Sequence, residues 1–216
     1  MTLARSMKSL MEGNSVIRKM FELGQEMAEK YGKEQVYDFS LGNPVASVPY
    51  EVKNAIISLL ENQDPHEIHG YMKNAGFPDV RKQVAEHLEK RFGLAYSAEN
   101  ILMCNGAAGG LNILMRCLLD EEDEVLCFAP YFTEYKAYVS HYKAKLTVVP
   151  MRKDDFSLNL YMAEQMIKRR TKAIILNNPN NPSGIIYSEE DLRALTKILK
   201  SAEERLGHPI YLICDE

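Results

Sequence analysis

Apolar residues recur along the chain in two rhythms. From about residue 101 onward, short unbroken apolar runs fall at 101–104, 125–128, 146–149, 173–176 and 210–214. Between them, at 107–119, 132–142, 160–168 and 189–204, the apolar positions space out as on one face of a helix. Short continuous runs suit strands covered on both faces. Their alternation with helices predicts an α/β fold: a mostly parallel sheet with helices on both faces. The sequence Ser188-Glu189-Glu190-Asp191 reads as a capping box opening the last helix. The first hundred residues are less regular. Val16, Ile17, Met20, Phe21, Leu23 and Met27 predict a helix over 15–31, capped by Ser15 and closed by Gly32. A short strand is expected at 36–41, then a turn at Gly42-Asn43-Pro44, then a helix at 49–61. A loop with Pro65, Gly70 and Gly76 leads to a helix at 78–92, with Val80, Val84 and Leu88 on its apolar face.

Composition narrows the class. In 216 residues, 46% are hydrophobic and 26% charged, enough to bury a core and to exclude disorder as the dominant state. The length suits one large domain, or one domain with part of a second. Lys and Arg number 26 against 30 Asp and Glu, for a net charge of −4. That balance gives no general attraction for nucleic acid or for an anionic membrane surface. No apolar run approaches the ~20 residues of a membrane span. The N-terminal residues lack the unbroken apolar stretch of a secretory signal, so a cytoplasmic setting is expected. Cys104, Cys117, Cys127 and Cys214 show no CxxC spacing and are expected as buried free thiols. His66 and His69 have no third ligand at a matching spacing, so no metal site is expected.

On a parallel sheet, ligands bind beyond the carboxyl ends of the strands, so the chemistry is sought there. After 101–104 come Asn105, Gly106, Ala107 and Ala108, opening a helix whose first amides suit a phosphate. Tight helix–sheet packing through Gly106, Gly109 and Gly110 explains the same small residues. The pattern is neither GxGxxG nor a P-loop, and no acid follows the next strand to hold a ribose; both facts count against a dinucleotide. After 125–128 come Pro130, Tyr131 and Phe132; Phe132 offers a flat face to a planar ring, or fills the core. After 173–176 comes Asn177-Asn178-Pro179-Asn180-Asn181-Pro182-Ser183-Gly184, a stiff loop or a plain turn, in which Asn181 offers an amide to a phenolic oxygen. After 210–214 comes Asp215, a carboxylate suited to a protonated ring nitrogen, or a frayed end in solvent. Together these groups describe a holder for an aromatic ring with a phosphate tail, and pyridoxal phosphate has those features.

In this order and spacing the segments resemble the class I/II aminotransferases, which are fold-type I pyridoxal-phosphate enzymes. Two upstream segments agree: 40–44 (Ser-Leu-Gly-Asn-Pro) and 70–78 (Gly-Tyr-Met-Lys-Asn-Ala-Gly-Phe-Pro). The resemblance covers the chain from about residue 36 on. It implies a pyridoxal 5'-phosphate cofactor, amino acid and 2-oxo acid substrates, and a homodimer. It also implies roles for individual residues. Gly106, Ala107 and Ala108 match the phosphate turn, although Ala107 and Ala108 lack the hydroxyl or lysine often found there. Phe132 matches the ring-stacking aromatic, Asn181 the partner of the phenolic oxygen, and Asp215 the partner of the pyridine nitrogen. Tyr71 matches a phosphate ligand given across the dimer. Gly42, and again Asn181, match substrate contacts.

The family's Schiff-base lysine lies downstream of the Asp-Glu element, and no lysine of this chain follows Asp215. The resemblance therefore implies an N-terminal portion, inactive alone, with no catalytic residue of its own. Residues 1–48 are expected to form an N-terminal arm and part of a small domain. Residues 49–216 are expected to form an incomplete cofactor-binding large domain. A carbon–sulfur β-lyase shares these motifs, and a non-catalytic binding module of the same fold is the reading from another class.

Overall fold

The computed structural model describes residues 16–39, 42, 46–152 and 154–216. The chain divides into two compact units, Met1–Tyr71 and Met72–Glu216.

In the first unit, α1 (Val16–Tyr31) stops at Gly32, whose φ of +94° few side chains tolerate. The expected Ser15 cap lies outside the described residues, as do residues 40 and 41 of the expected strand. Residues 36–39 form no strand. A strand is defined by its ladder, and Tyr37 and Phe39 stand almost fully exposed instead of pairing. Next come α2 (Tyr50–Asn62) and a short helix, α3 (Pro65–His69), where the sequence suggested only a loop. Its cause is local. Asp64 Oδ1 accepts the His66 amide at 2.8 Å, and Pro65 occupies the first helical turn, where a missing N–H costs nothing.

The second unit begins with α4 (Pro78–Phe92), ended by Gly93 in the left-handed region. Only Ala85 of this helix is buried; Val84 and Leu88 are half-buried and Val80 is exposed. Residues 101–104, expected as a strand, form none. They pair with no strand: the Met103 amide donates to the Ala75 carbonyl at 3.0 Å, the Ile101 carbonyl accepts Arg81 Nε at 2.7 Å, and Leu102 and Met103 are exposed. An apolar run signals extended backbone, but it cannot supply the neighbour that a ladder needs.

From there the expected alternation holds: α5 (Gly106–Leu118), β1 (Glu124–Phe128), α6 (Tyr135–Ser140), β2 (Lys145–Val149), α7 (Leu160–Met166), β3 (Thr171–Asn177), α8 (Glu189–Leu206) and β4 (Tyr211–Asp215). The four strands form one all-parallel sheet in the order β2-β1-β3-β4. Side chains alternate between its faces. Val125, Cys127, Ala173, Ile175 and Ile213 pack with Leu111 and Met115 of α5 and Tyr135 and Val139 of α6. Leu126, Phe128, Ile174 and Leu176 pack with Ala163 of α7 and Leu195, Leu199 and Ala202 of α8. Both faces are thus covered, and this explains why β1 and most of β3 read as unbroken apolar runs. Ser188 caps α8 by accepting the Asp191 amide at 3.1 Å.

All four cysteines are free, but only Cys127 is buried. Cys104 sits on the unpaired extended segment, Cys117 on α5 and Cys214 on the edge strand β4. An apolar neighbourhood in sequence does not enclose a residue at such positions.

At the amino end of the sheet, Glu124 is buried and its two carboxylate oxygens are satisfied from both neighbouring strands. Thr147 donates to Oε2 at 2.6 Å and Thr171 to Oε1 at 2.9 Å. The Thr171 hydroxyl also accepts the Lys168 amide at 2.9 Å. Thr171→Val keeps the shape and removes both bonds. Because a buried carboxylate loses a donor, the substitution is expected to cost about 2 kcal/mol, measured by urea unfolding.

Candidate functional site

Because the strands are parallel, their carboxyl ends share one edge of the sheet. The loop 129–134 leaves β1 there, the loop 178–188 leaves β3, and Asp215 closes β4. The amino end of α5 lies at the same edge. Its C-terminus feeds through a short loop into the start of β1, and its 13 residues span about 20 Å, comparable to the ~17 Å of a five-residue strand. The topology therefore brings Gly106, Ala107, Ala108, Phe132, Asn181 and Asp215 to one end of the second unit. Gly42 and Tyr71 belong to the first unit, where both are exposed. Ser40, Leu41, Asn43 and Pro44 of the upstream loop lie outside the described residues.

At α5, Asn105 gives no side-chain cap. Gly106 adopts φ +68°, and its amide donates to the Cys104 carbonyl at 3.1 Å. The amides of Ala107, Ala108 and Gly109 have no acceptor within the helix. Residues 105–108 are exposed, and the helix dipole adds partial positive charge there. An anion is the natural partner of such an end.

Phe132 is half-buried and meets Tyr135 edge-on, with ring centroids 5.7 Å apart and planes at 81°. Asp215 is half-buried, and its Oδ2 accepts a hydrogen bond from the Tyr135 hydroxyl. The Asp215 carbonyl accepts from Asn177 Nδ2 at 2.8 Å and from the Asn178 amide at 3.1 Å. The same Asn177 side chain turns its Oδ1 to the Asn181 amide at 2.5 Å. One asparagine thus sets the spacing between Asp215 and Asn181. The Asn181 side chain is exposed and makes no hydrogen bond among the described residues. Asn180 is buried. Its Nδ2 donates to the Pro130 carbonyl at 3.1 Å, and its Oδ1 accepts from the Ser183 hydroxyl at 2.6 Å. This ties the loop after β3 to the loop after β1, which carries Phe132.

Burial is the main cause that pushes the Tyr135 phenol above its ordinary range, and the Asp215 carboxylate at its hydroxyl adds to the shift. Tyr138 is raised in the same way, by burial first and then by Glu134 and Asp215. Both phenols stay protonated, so Tyr135 is a permanent donor.

Tyr135, Asn177 and Asn180 escape the sequence reading. Asn177 and Asn180 stand inside the Asn-Pro cluster, and the signal is their place at the strand end, Asn180 buried and Asn177 half-buried, which a linear pattern does not show. Tyr135 is three residues beyond Phe132, within a stretch that reads as ordinary helix face. Only the fold reveals that its ring is inside and its hydroxyl reaches β4.

Comparison with known proteins places the chain in a family. The profile of the family "Aminotransferase class I and II" matches residues 34–216. The chain is 34% identical over 182 residues to a probable aspartate/prephenate aminotransferase of Aquifex aeolicus, covering 84% of this chain and 44% of that protein. An amino transferase structure from Eubacterium rectale superposes with a TM-score of 0.95 at 39% identity, over 100% of this chain and 55% of that one. The aspartate aminotransferase of Thermus thermophilus with maleate gives a TM-score of 0.84 at 25% identity, over 100% and 53%. The chain therefore spans about half the length of these relatives. With the family profile matched over most of its length, the chain belongs to the class I and II aminotransferases.

Proposed function

We propose that this chain forms the cofactor-holding part of an enzyme that moves an amino group between an amino acid and a 2-oxo acid, with pyridoxal 5'-phosphate as cofactor. The observation that carries the reading is the convergence of four groups at one sheet end: the uncapped amides of α5, Phe132, Asn181 and Asp215. They fit the cofactor by chemistry. The α5 amides of Ala107, Ala108 and Gly109 bind the phosphate, with Gly106 opening the turn and no side chain in the way. Phe132 stacks against the ring. The unpartnered Asn181 amide donates to the phenolic oxygen and adjoins the substrate, and the Asp215 carboxylate holds a proton on the ring nitrogen. When bound, pyridoxal phosphate supplies an aldehyde that takes up the amino group and a protonated ring that withdraws electrons from the substrate Cα. The relatives' names support amino transfer over the carbon–sulfur β-lyase.

The proposal extends to a cytoplasmic homodimer in which Tyr71 reaches the phosphate of the neighbouring subunit and Gly42 contacts substrate. In this scheme residues 1–48 form the arm and part of a small domain, and residues 49–216 the cofactor-binding domain. Support comes from the first unit. None of residues 19–39, 42 and 46–71 is buried, and α2 alone exposes Tyr50, Val52, Ile56, Ile57, Leu59 and Leu60, an apolar load that suits a protein partner. Among the described residues no helix is long and apolar enough to cross a membrane.

The test is a titration with pyridoxamine 5'-phosphate, whose amine cannot condense with surface lysines. The chain is expected to bind it, and Asn181→Ala is expected to weaken binding about tenfold, the loss of one hydrogen bond to a charged oxygen. An Asn181→Ala protein that binds as tightly as the parent would end the assignment of that residue, and absence of binding by the parent would end the reading.

A further inference from the structure

We infer that Tyr135 is a positioning residue that fixes, with one side chain, both the carboxylate meant for the cofactor's ring nitrogen and the aromatic face meant for its ring. The inference rests on the cofactor-site reading above and goes beyond it, because Tyr135 itself touches neither substrate nor cofactor in that scheme.

Three observations carry it. Tyr135 is only 1% exposed and lies in the core between α5, α6 and the sheet, so its ring cannot swing. A buried tyrosine hydroxyl needs a polar partner, and here that partner is Asp215 Oδ2. The edge of the same ring meets Phe132, whose carbonyl also accepts the Tyr135 amide at 3.1 Å. The backbone of Asp215 is already clamped through its carbonyl by Asn177 and Asn178. What that clamp leaves free is rotation of the carboxyl group. The Tyr135 hydroxyl removes it by engaging one oxygen and leaving Oδ1 for a ring N–H. Burial and the neighbouring carboxylate keep the phenol protonated, so it donates across the neutral range. Cys127 on β1 and Tyr138 on α6, the other titratable groups near it, are neutral there too.

Tyr135→Phe removes the hydroxyl and keeps the ring and its edge contact. With the full 216-residue chain and pyridoxamine 5'-phosphate as probe, this variant is expected to raise the Kd about tenfold. It is also expected to lower the ring-nitrogen pKa of the bound probe, followed by ¹⁵N NMR across a pH series. A merely structural tyrosine would alter the thermal midpoint and leave the ring titration where it was. An unchanged or raised ring pKa in Tyr135→Phe overturns the inference, whatever happens to stability. A second measurement needs no variant at Tyr135. In the parent protein its hydroxyl proton should exchange slowly, shift when the probe is added and disappear in Asp215→Ala; no response to the probe would overturn the inference equally. The two levels separate cleanly. Binding that depends on Asp215 but not on Tyr135 defeats the positioning role alone. A parent chain that does not bind, or that binds equally well as Asp215→Ala, defeats the site reading and the inference with it.

Discussion

In a form of the protein that turns over, replacing Asp215 with alanine is expected to lower the rate of amino transfer by roughly 1,000-fold or more. The size follows from what the group does in the proposed site. Electron withdrawal from the substrate Cα requires a protonated ring nitrogen, and a fixed carboxylate is the group that keeps the proton there. Asp215 is held in place for this role at two points. Asn177 and Asn178 hold its carbonyl, and Tyr135 holds one carboxylate oxygen. Asp215→Asn keeps the size and removes the charge, so it should fall nearly as far, which separates electrostatics from shape. Steady-state kcat with an amino acid and a 2-oxo acid is the measurement. Asp215→Ala also leaves the buried Tyr135 hydroxyl without its partner, costing about 2 kcal/mol of stability. Rates must therefore be taken well below the lowered melting temperature. Turnover near that of the parent would remove Asp215 from the site.

The strands and helices from 106 onward were legible because burial on two faces imposes a simple pattern. Val125, Leu126, Cys127 and Phe128 are all apolar since α5 and α6 cover one face and α7 and α8 the other. The same logic failed at 101–104 and at 36–39. Both begin in extended backbone, at Val36 and Ile101, but pairing depends on a neighbour that local sequence does not encode. Phe132, Asn181 and Asp215 could be picked as candidates because topology sends every strand end of a parallel sheet to one edge; Gly106 was reached from a run that forms no strand, and it lies at that edge because α5 leads back into β1. Their supports could not. Tyr135 lies 80 positions from Asp215, and its role depends on a bond between helix and strand that no spacing rule anticipates. Asn177 was visible as part of a cluster, but its function as a two-sided clamp appears only once β3 and β4 are in register, with Asn177 opposite Asp215.

The second large effect is expected at high pH and comes from Cys127. Burial in the middle of β1 pushes this thiol from its ordinary 9.0 up to about 12. The folded state therefore holds the proton through a range where the unfolded chain releases it. Stability from this source is complete below pH ~9, and it declines as pH rises toward ~12 because deprotonation favours the unfolded state. One proton contributes about 1.4 kcal/mol per pH unit, or roughly 4 kcal/mol across the full window. Tyr135 and Tyr187 are raised by burial as well and add loss of the same sign, so the alkaline slope of the parent alone does not isolate the thiol. Cys127→Val does. Valine matches the volume, suits a strand and does not titrate. In urea unfolding, the stability of Cys127→Val minus that of the parent should grow by about 3 kcal/mol between pH 8 and pH 11. The surface groups cancel in that difference, and so do the phenols, apart from the smaller share of their shift that Cys127 itself causes. A difference that stays flat would mean that the thiol ionises as readily inside the sheet as outside. A thiolate wedged between α5, α6 and β1 would then need a solvating partner, and the packing around Cys127 provides none.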